Sequence, residues 1–284
     1  MYIVSYTYYV LIKMIYNIDI INRSNSDAIM SGIFYLKNFD CFDRNKLLLV
    51  CLHGNSSCAD TFSLIRKHIN SNVQVVAPDL PGCGKSTRLV KYSMKILGKM
   101  IGDFIENTFH PTILYVFGHS LGGHLIAYLH NKIDGIILSG TPPLSCDNDF
   151  SLAFKSSQDT MKLLSLLSKP IPFTKDEATM FVDHTGVTGI FRDIMIENAI
   201  LADGKFRSGC LATLTDIDQK SIIEASNNVV IFHASNDGVI NPDYLESINK
   251  RCLYQNKIHY LEGRHMTPIN NYREIITILE AIIL

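Results

Sequence analysis

Ile113-Leu114-Tyr115-Val116-Phe117-Gly118-His119-Ser120-Leu121-Gly122-Gly123 is the stretch that decides the fold. Five apolar residues, typical of a buried strand, lead into a G-x-S-x-G pattern, and a helix-like run follows over 123–130. A serine in this context lies on a sharp turn between strand and helix, with its hydroxyl exposed above the sheet. The flanking glycines are needed because a Cβ there would collide with the neighbouring strand and helix. The pattern predicts a nucleophile elbow at Ser120; an ordinary strand–helix turn is the alternative.

A serine hydroxyl is a weak nucleophile, so a base and an orienting acid should follow the elbow. In chains with this elbow the order is serine, then aspartate or glutamate, then histidine. The strand-like run 228–233 is followed by Asp237, and the run 257–261 is followed by His265. Both side chains therefore fall in loops just beyond strand ends. Order and placement together predict a catalytic triad of Ser120, Asp237 and His265.

Other residues compete for these roles. An Asp in an Asn-Asp-Gly loop is more often a turn residue when it is taken alone. Asp216 and Asp218 are rival acids, but they lie in a polar, helix-like segment and not after a strand. Glu262 lies too near His265 along the chain to be favoured. His259 alternates within a strand, which indicates packing or exposure and not catalysis.

An oxyanion hole needs two amide donors, one directly after the nucleophile and one from the loop after an earlier strand. Leu121 supplies the first amide. The strand-like run 46–52 is followed by His53-Gly54-Asn55-Ser56-Ser57, and Gly54 lets the backbone turn so that the Asn55 amide points toward the elbow. Alone, this loop would be interpreted as an ordinary helix start. Beside the triad candidates, it predicts Asn55 and Leu121 as the oxyanion donors.

These residues also carry a resemblance to a known family. The chain resembles the α/β-hydrolases from about residue 15 to its end, at 53–55, 77–86, 118–123, Asp237 and His265. Within that superfamily it is most similar to the serine-dependent acyl-homoserine lactone hydrolases, in the loops 53–57 and 139–143. The resemblance implies an α/β-hydrolase fold, a lactone substrate and no cofactor.

We expect His53, Gly54, His119 and Pro142 to contact the substrate. His119 is a departure from the family pattern, because some of those lactonases carry a tryptophan before the nucleophile. The change alters the wall of the predicted pocket.

The strand-like runs alternate with helical patterns, which predicts right-handed βαβ units and an eight-stranded, mostly parallel sheet flanked by helices. The first two runs have no helix between them and predict an antiparallel edge. The runs cover 15–21, 29–36, 46–52, 73–77, 112–117, 133–139, 228–233 and 257–261.

Between 144 and 205 the alternation stops, and 151–167, 175–184 and 191–201 are predicted as helices. We expect a helical cap over 144–205, a core of 14–143 and 206–284, and an N-terminal extension over 1–13. An apolar slot for an acyl tail would come from the cap residues Phe154, Met161, Leu164, Phe173, Met180 and Phe181, although ordinary packing of the cap on the core explains most of them better. His184 is the polar cap residue expected to touch substrate.

Two competing site motifs fail on the residues present. Pro81–Thr87 resembles the end of a phosphate-binding loop, but that motif requires a glycine where the chain has Asp79. The 10 histidines form no metal-binding pattern and the 7 cysteines form no C-x-x-C pair. Neither a nucleotide nor a metal is predicted, and the irregular cysteines indicate free thiols in the cytoplasm.

Composition narrows the function class further. A chain of 284 residues with 47% hydrophobic residues can form one domain with a sheet buried on both faces and an insertion. The net charge of −1 gives no reason to expect nucleic acid as a partner. The apolar run 1–12 is too short to span a bilayer and lacks a cleavage site, so no stable membrane association is expected. Translation that starts at Met14 would leave out the apolar run. The oligomeric state is left open.

The sequence therefore predicts a serine hydrolase that cleaves an ester-type carbonyl, most simply a lactone with an apolar acyl chain. A carboxylesterase, a thioesterase or a carbon–carbon hydrolase is the alternative within the same class. A non-catalytic ligand receptor on the same fold is the alternative from a different class, and an intact triad does not exclude it.

Overall fold

The computed structural model describes residues 27–30, 32–145 and 149–284, with the backbone alone for 27–30. The predicted extension over 1–13 and the predicted strand over 15–21 lie outside the described residues.

Eight strands form one sheet: β1 Asp27–Met30, β2 Ile33–Lys37, β3 Leu48–Leu52, β4 Gln74–Pro78, β5 Leu114–His119, β6 Gly135–Ser139, β7 Val229–Ala234 and β8 His259–Leu261. Their order across the sheet is β1-β2-β4-β3-β5-β6-β7-β8. The pairs β1–β2 and β2–β4 are antiparallel, and the remaining neighbours are parallel. The expected eight-stranded, mostly parallel sheet is confirmed.

The antiparallel edge is built differently from the prediction. The run 29–36, predicted as one strand, is divided between β1 and β2, which pair as a hairpin. Gly32 lies between them with φ of 77°, a conformation that glycine adopts without steric cost. The hairpin brings Ile33–Lys37 back alongside β4, so both antiparallel pairs are at this edge.

Twelve α-helices occur in the described residues: α1 Ser63–His68, α2 Met94–Thr108, α3 Leu121–Ile126, α4 Phe150–Ala153, α5 Gln158–Leu167, α6 Lys175–Thr185, α7 Gly189–Leu201, α8 Gly204–Ala212, α9 Gln219–Glu224, α10 Pro242–Glu246, α11 Thr267–Asn270 and α12 Tyr272–Ile283. Short 3₁₀ turns cover Ala59–Phe62, Lys250–Cys252 and Tyr254–Asn256. Across the described part of the chain, each helix is too short or too polar to cross a membrane.

The sheet is buried on both faces, as the alternation in β3 shows. Leu48, Val50 and Leu52 face one apolar cluster, which includes residues of α2. Leu49 and Cys51 face the other, which includes residues of α1 and α12. Successive side chains on a strand point to opposite faces, so an entirely apolar strand requires helices on both sides.

The segment between β6 and β7 is helical, but its first predicted helix is interrupted. Residues 151–167 form α4 and α5, and Phe154 between them pairs with Ile240 in an isolated antiparallel bridge. The Lys155 amide donates to Val239 O at 2.8 Å, and the Asn241 amide donates to Ala153 O at 2.9 Å. This connection joins the insertion to the loop after β7. The domain boundaries at 144 and 205 stay a prediction.

Candidate active site

The backbone at Ser120 has the strained geometry of a nucleophile elbow. Ser120 follows β5 and precedes α3, with φ of 51° and ψ of −121°. A Cβ at Gly122 would lie 2.1 Å from Leu52 O, and a Cβ at Gly118 would lie 2.3 Å from the Cα of Gly123. The turn therefore closes only with glycines at these positions, while close packing on both sides maintains a conformation that non-glycine residues rarely adopt.

The side chains of Asp237 and His265 form a hydrogen bond beyond the ends of β7 and β8. His265 Nδ1 donates to Asp237 Oδ2 at 2.7 Å, and both side chains are buried. The amides of Val239 and Ile240 donate to Asp237 Oδ1 at 2.8 and 3.2 Å. Burial opposes ionisation of Asp237, but the adjacent His265 ring and the Val239 amide hold the pKa of the carboxyl well below its ordinary value. The carboxylate is thus charged and fixed in orientation.

Ser120 and His265 line the same cavity. Gly140, with φ of 57°, lies against the imidazole: a Cβ there would approach His265 Cε1 to 2.8 Å. A Cβ at Gly54 would lie 3.2 Å from Ser120 Cβ. The loops after β3, β5, β6 and β8 therefore converge on the serine.

The two predicted oxyanion donors border this cavity as well. Leu121 is the first residue of α3, so its N–H has no partner within the helix. Asn55 lines the cavity, and its side-chain Oδ1 accepts a hydrogen bond from Ser56 Oγ at 2.9 Å. Ser56 has φ of 51°, which turns the loop sharply beside the elbow. Asn55 and Leu121 therefore both lie on the cavity wall that holds Ser120.

Two predicted substrate contacts are corrected by the structure. His53 is fully buried, its Nδ1 donates to Gly54 O at 2.8 Å, and its Nε2 accepts from the Leu80 amide at 2.9 Å. Burial lowers the pKa of His53 to about 4, so the ring is neutral. Pro142 is buried in the segment after β6, and neither residue is among those lining the cavity. His53 therefore holds the loops after β3 and β4 together, and neither His53 nor Pro142 borders the cavity.

His119 and His184 do line the cavity. The His119 ring lies 5.0 Å from the His265 ring, and its Nδ1 donates to Ser139 O at 3.2 Å. Burial and the His265 ring hold the pKa of His119 well below its ordinary value. His184 Nε2 is buried without a hydrogen-bond partner among the described residues, close to Gly238. His184 thus has a polar atom available beside the Asp237 loop.

The remaining wall is apolar and comes largely from the helical segment. Of the six predicted slot residues, Phe154, Leu164 and Phe181 line the cavity. Met161 and Met180 are exposed on the outer surface, and Phe173 is buried beneath Arg207. The wall residues missed by the sequence interpretation are Leu163, Leu167, Val182, Met195, Leu211, Leu214, Val239, Ile240 and Met266. The 163–167 spacing of one helical turn is the signal that could have found part of this set.

The rival acids lie elsewhere. Asp218 caps α9, accepting from the Ser221 amide at 3.0 Å, and Asp216 and Glu262 are exposed. Within the described residues, no group of three or more His, Cys, Asp and Glu side chains could hold a metal ion.

The loop that resembles a phosphate-binding motif is occupied by the carboxylate of Asp79, a residue of the same chain. Asp79 accepts from the amides of Ala59 at 2.7 Å and Lys85 at 2.8 Å. A Cβ at Gly84 would lie 2.0 Å from Asp79 Oδ2, so the carboxylate fills the turn. There is no space left for a phosphate.

Comparison with known proteins agrees with this geometry. The family model of the alpha/beta hydrolase fold matches residues 48–272. No curated protein sequence matches the chain.

Solved structures show the same fold. The N-acyl homoserine lactonase AidH, complexed with N-butanoyl homoserine, has a TM-score of 0.78 and 21% identity, over 90% of this chain and 95% of that chain. A thermophilic esterase from Thermogutta terrifontis, malate bound, has a TM-score of 0.69 and 14% identity, over 92% and 98%. An esterase from Exiguobacterium antarcticum has a TM-score of 0.66 and 14% identity, over 88% and 95%. Likeness at these identities establishes the fold.

Proposed function

Because the chain belongs to the α/β-hydrolase fold family, we propose that it is a serine hydrolase that opens a lactone through an acyl-enzyme. The observation that carries the proposal is the 2.7 Å His265–Asp237 hydrogen bond on the same cavity as a serine with φ of 51°. The structural likeness to a homoserine lactonase supports a lactone as the substrate, and the esterase neighbours support an ester-type carbonyl more generally.

The proposed chemistry starts at Ser120. Asp237 accepts the Nδ1 proton of His265, which leaves Nε2 free to take the proton from Ser120 Oγ as that oxygen attacks the carbonyl carbon. The Leu121 and Asn55 amides then stabilise the oxyanion. Losing one such donor costs about 3–4 kcal/mol of barrier in comparable sites.

Collapse of the tetrahedral intermediate breaks the carbon–oxygen bond of the ring. His265 returns its proton to the leaving oxygen, which becomes a hydroxyl group on the same molecule. Water then attacks the acyl-enzyme, again with His265 as base, and releases the hydroxy acid and the free serine. No cofactor enters this sequence.

The helical segment explains how substrate would be held. Its apolar residues suit an acyl chain, and closing over Ser120 they exclude bulk water from the acyl-enzyme. We interpret 144–205 as a cap on this basis. His119 and His184, both near His265, are proposed to contact the polar end of the substrate.

The test is hydrolysis of a long-chain acyl-homoserine lactone by wild type and Ser120→Ala, followed by mass spectrometry. Ring opening adds one water to the mass, and we expect it in the wild type and not in the variant. A parallel panel of linear esters and thioesters separates lactonase from general esterase. Turnover of linear esters alone would overturn the lactone assignment, while ligand-induced stabilisation without any turnover would support a receptor.

A further inference from the structure

His124 is a buried polar residue on the cavity wall that the proposed mechanism does not use. Its ring is 4% exposed and lines the cavity with Ser120. It lies one helical turn after the nucleophile in α3, where its amide donates to Ser120 O at 3.3 Å. Both residues line the same cavity, so the imidazole borders the space in which a substrate bound at Ser120 would lie.

The hydrogen bonds around Gln219 fix the tautomer of this ring. Gln219 Nε2 donates to Leu214 O, and Gln219 Oε1 accepts from the Leu144 amide at 3.4 Å. The oxygen therefore faces His124 Nδ1, which lies 2.7 Å away and must carry the proton. Burial lowers the pKa of His124 to about 4, so the ring is neutral near pH 7. In this tautomer Nε2 has a lone pair and can only accept a hydrogen bond.

The position of His124 in the cavity indicates which part of the substrate it would contact. His265 must return its proton to the leaving oxygen, so the leaving group lies on the His265 side, where His184 and Met266 also line the cavity. His124 and Leu214 both line the cavity, and Gln219, the partner of His124, donates to Leu214 O. The Leu214 amide in turn donates to Leu211 O at 3.4 Å, and Leu211 lines the cavity as well. Substituents on the carbon next to the carbonyl would then lie against this part of the wall.

We propose that His124 Nε2 accepts a hydrogen bond from an N–H or O–H group that the substrate carries one or two bonds from its scissile carbonyl carbon. The inference rests on the proposed function and narrows its substrate class to lactones or esters with such a donor, an acylamino or a hydroxy substituent. A substrate with an ether-type oxygen in that place sets its lone pairs against the lone pair of Nε2. A buried acceptor left unpaired is costly, so rejection of about tenfold or more is expected.

Two matched substrate pairs test the proposal. The first is α-hexanoylamino-γ-butyrolactone against α-hexanoyloxy-γ-butyrolactone, in which an oxygen replaces the N–H. The second is 4-nitrophenyl 2-hydroxybutyrate against 4-nitrophenyl butyrate. In wild type, kcat/KM for opening the scissile bond should favour the donor-bearing member about tenfold in at least one pair, and the pair that shows it identifies the donor as amide or hydroxyl.

His124→Phe should bring that ratio close to one, because phenyl fills the space without an acceptor. Leu211→Met, which changes the same region of wall at similar volume, should keep the ratio. Since each ratio is measured within one protein, lower stability or expression of a variant does not alter it. A wild-type ratio of one in both pairs, or a ratio that survives in His124→Phe, would overturn the proposal.

A second measurement does not depend on His124→Phe. In Ser120→Ala labelled with ¹⁵N-histidine, the imidazole nitrogens of His124 should report a protonated Nδ1 and a bare Nε2, and Nε2 should shift when the preferred lactone or ester binds. A protonated Nε2, or an Nε2 chemical shift that does not change at ligand saturation, would contradict the proposed hydrogen bond. Hydrolysis without donor preference removes this inference alone, whereas absence of any Ser120-dependent hydrolysis removes the proposed function as well.

Discussion

Asp237→Asn is the substitution that tests the proposed proton relay most closely. In the wild type the Val239 and Ile240 amides donate to Asp237 Oδ1, while Oδ2 accepts from His265 Nδ1. In the variant the amide oxygen must stay where the two N–H groups point, because an NH₂ group there would face two donors. The introduced side chain would then present its NH₂ group to His265, and the imidazole proton would move to Nε2.

A His265 ring protonated at Nε2 cannot accept the proton of Ser120. The loss expected from a wrong tautomer with intact geometry is about 10⁴-fold in kcat, equivalent to about 5–6 kcal/mol of barrier. Hydrolysis of 4-nitrophenyl butyrate at neutral pH measures it, and a thermal melt shows that the variant is folded. Asp218→Asn is the matched control, because Asn caps α9 as well as Asp does and kcat should change less than twofold. Retention of more than a tenth of kcat in Asp237→Asn would refute the relay.

Three further changes have definite expected outcomes. Gly122→Ala should lower Tm by about 10 °C, since its methyl would meet Leu52 O at 2.1 Å and overpacking of this kind costs about 3 kcal/mol. The folded-state pKa of His53 is about 4 against an ordinary 6.5, so the unfolded chain binds the extra proton and urea melts should show stability falling from pH 6.5 toward pH 4, by about 3 kcal/mol for this group. Lys155→Met should lower kcat about tenfold with little change in KM, since Nζ donates to Asp237 O at 2.6 Å and positions that loop.

Controls make each of these outcomes decisive. Gly189→Ala, whose methyl would meet nothing within 4 Å but whose φ of 61° costs about 1–2 kcal/mol, should lower Tm less than Gly122→Ala, and equal melts would contradict the packing at the elbow. For the pH dependence, the buried His119 and His124 also have lowered pKa values, so His53→Gln should make the slope shallower without removing it, and an unchanged slope would show that His53 does not contribute. Lys162→Met, on the exposed face of α5, should leave kcat unchanged. A kcat in Lys155→Met equal to that control would remove the positioning role.

The elbow and the order of the triad candidates were accessible from sequence because both depend on local patterns. Around Ser120 the sequence specifies a strand, a turn of small residues and a helix. Few backbone conformations satisfy all three. Likewise Asp237 and His265 each follow a strand-like run, and parallel strands place such loops at the same sheet edge. The 2.7 Å contact between them follows from that placement.

Roles that depend on side-chain packing were not accessible in the same way. His53 has the polarity of a ligand-binding residue, but Leu80 and Gly54 occupy both of its ring nitrogens. Met161 and Leu164 share the apolar stripe of α5, and the packing of that helix on the core decides that Leu164 lines the cavity while Met161 is 57% exposed. Sequence periodicity identifies an apolar face, not the surface against which it packs.

Contacts between distant segments explain the other differences. The predicted helix over 151–167 is interrupted because Phe154 pairs with Ile240, more than eighty positions along the chain. The tautomer of His124 depends on Gln219 in the same way. Neither pairing leaves a local pattern in the sequence.

Labelling with a fluorophosphonate tests the central claim most directly, because the reagent forms a covalent adduct only with an activated serine. We expect an intact-mass increase of one adduct in the wild type, located on Ser120 by peptide mapping, and none in Ser120→Ala. An unlabelled wild type, or an adduct on a different residue, would contradict the account.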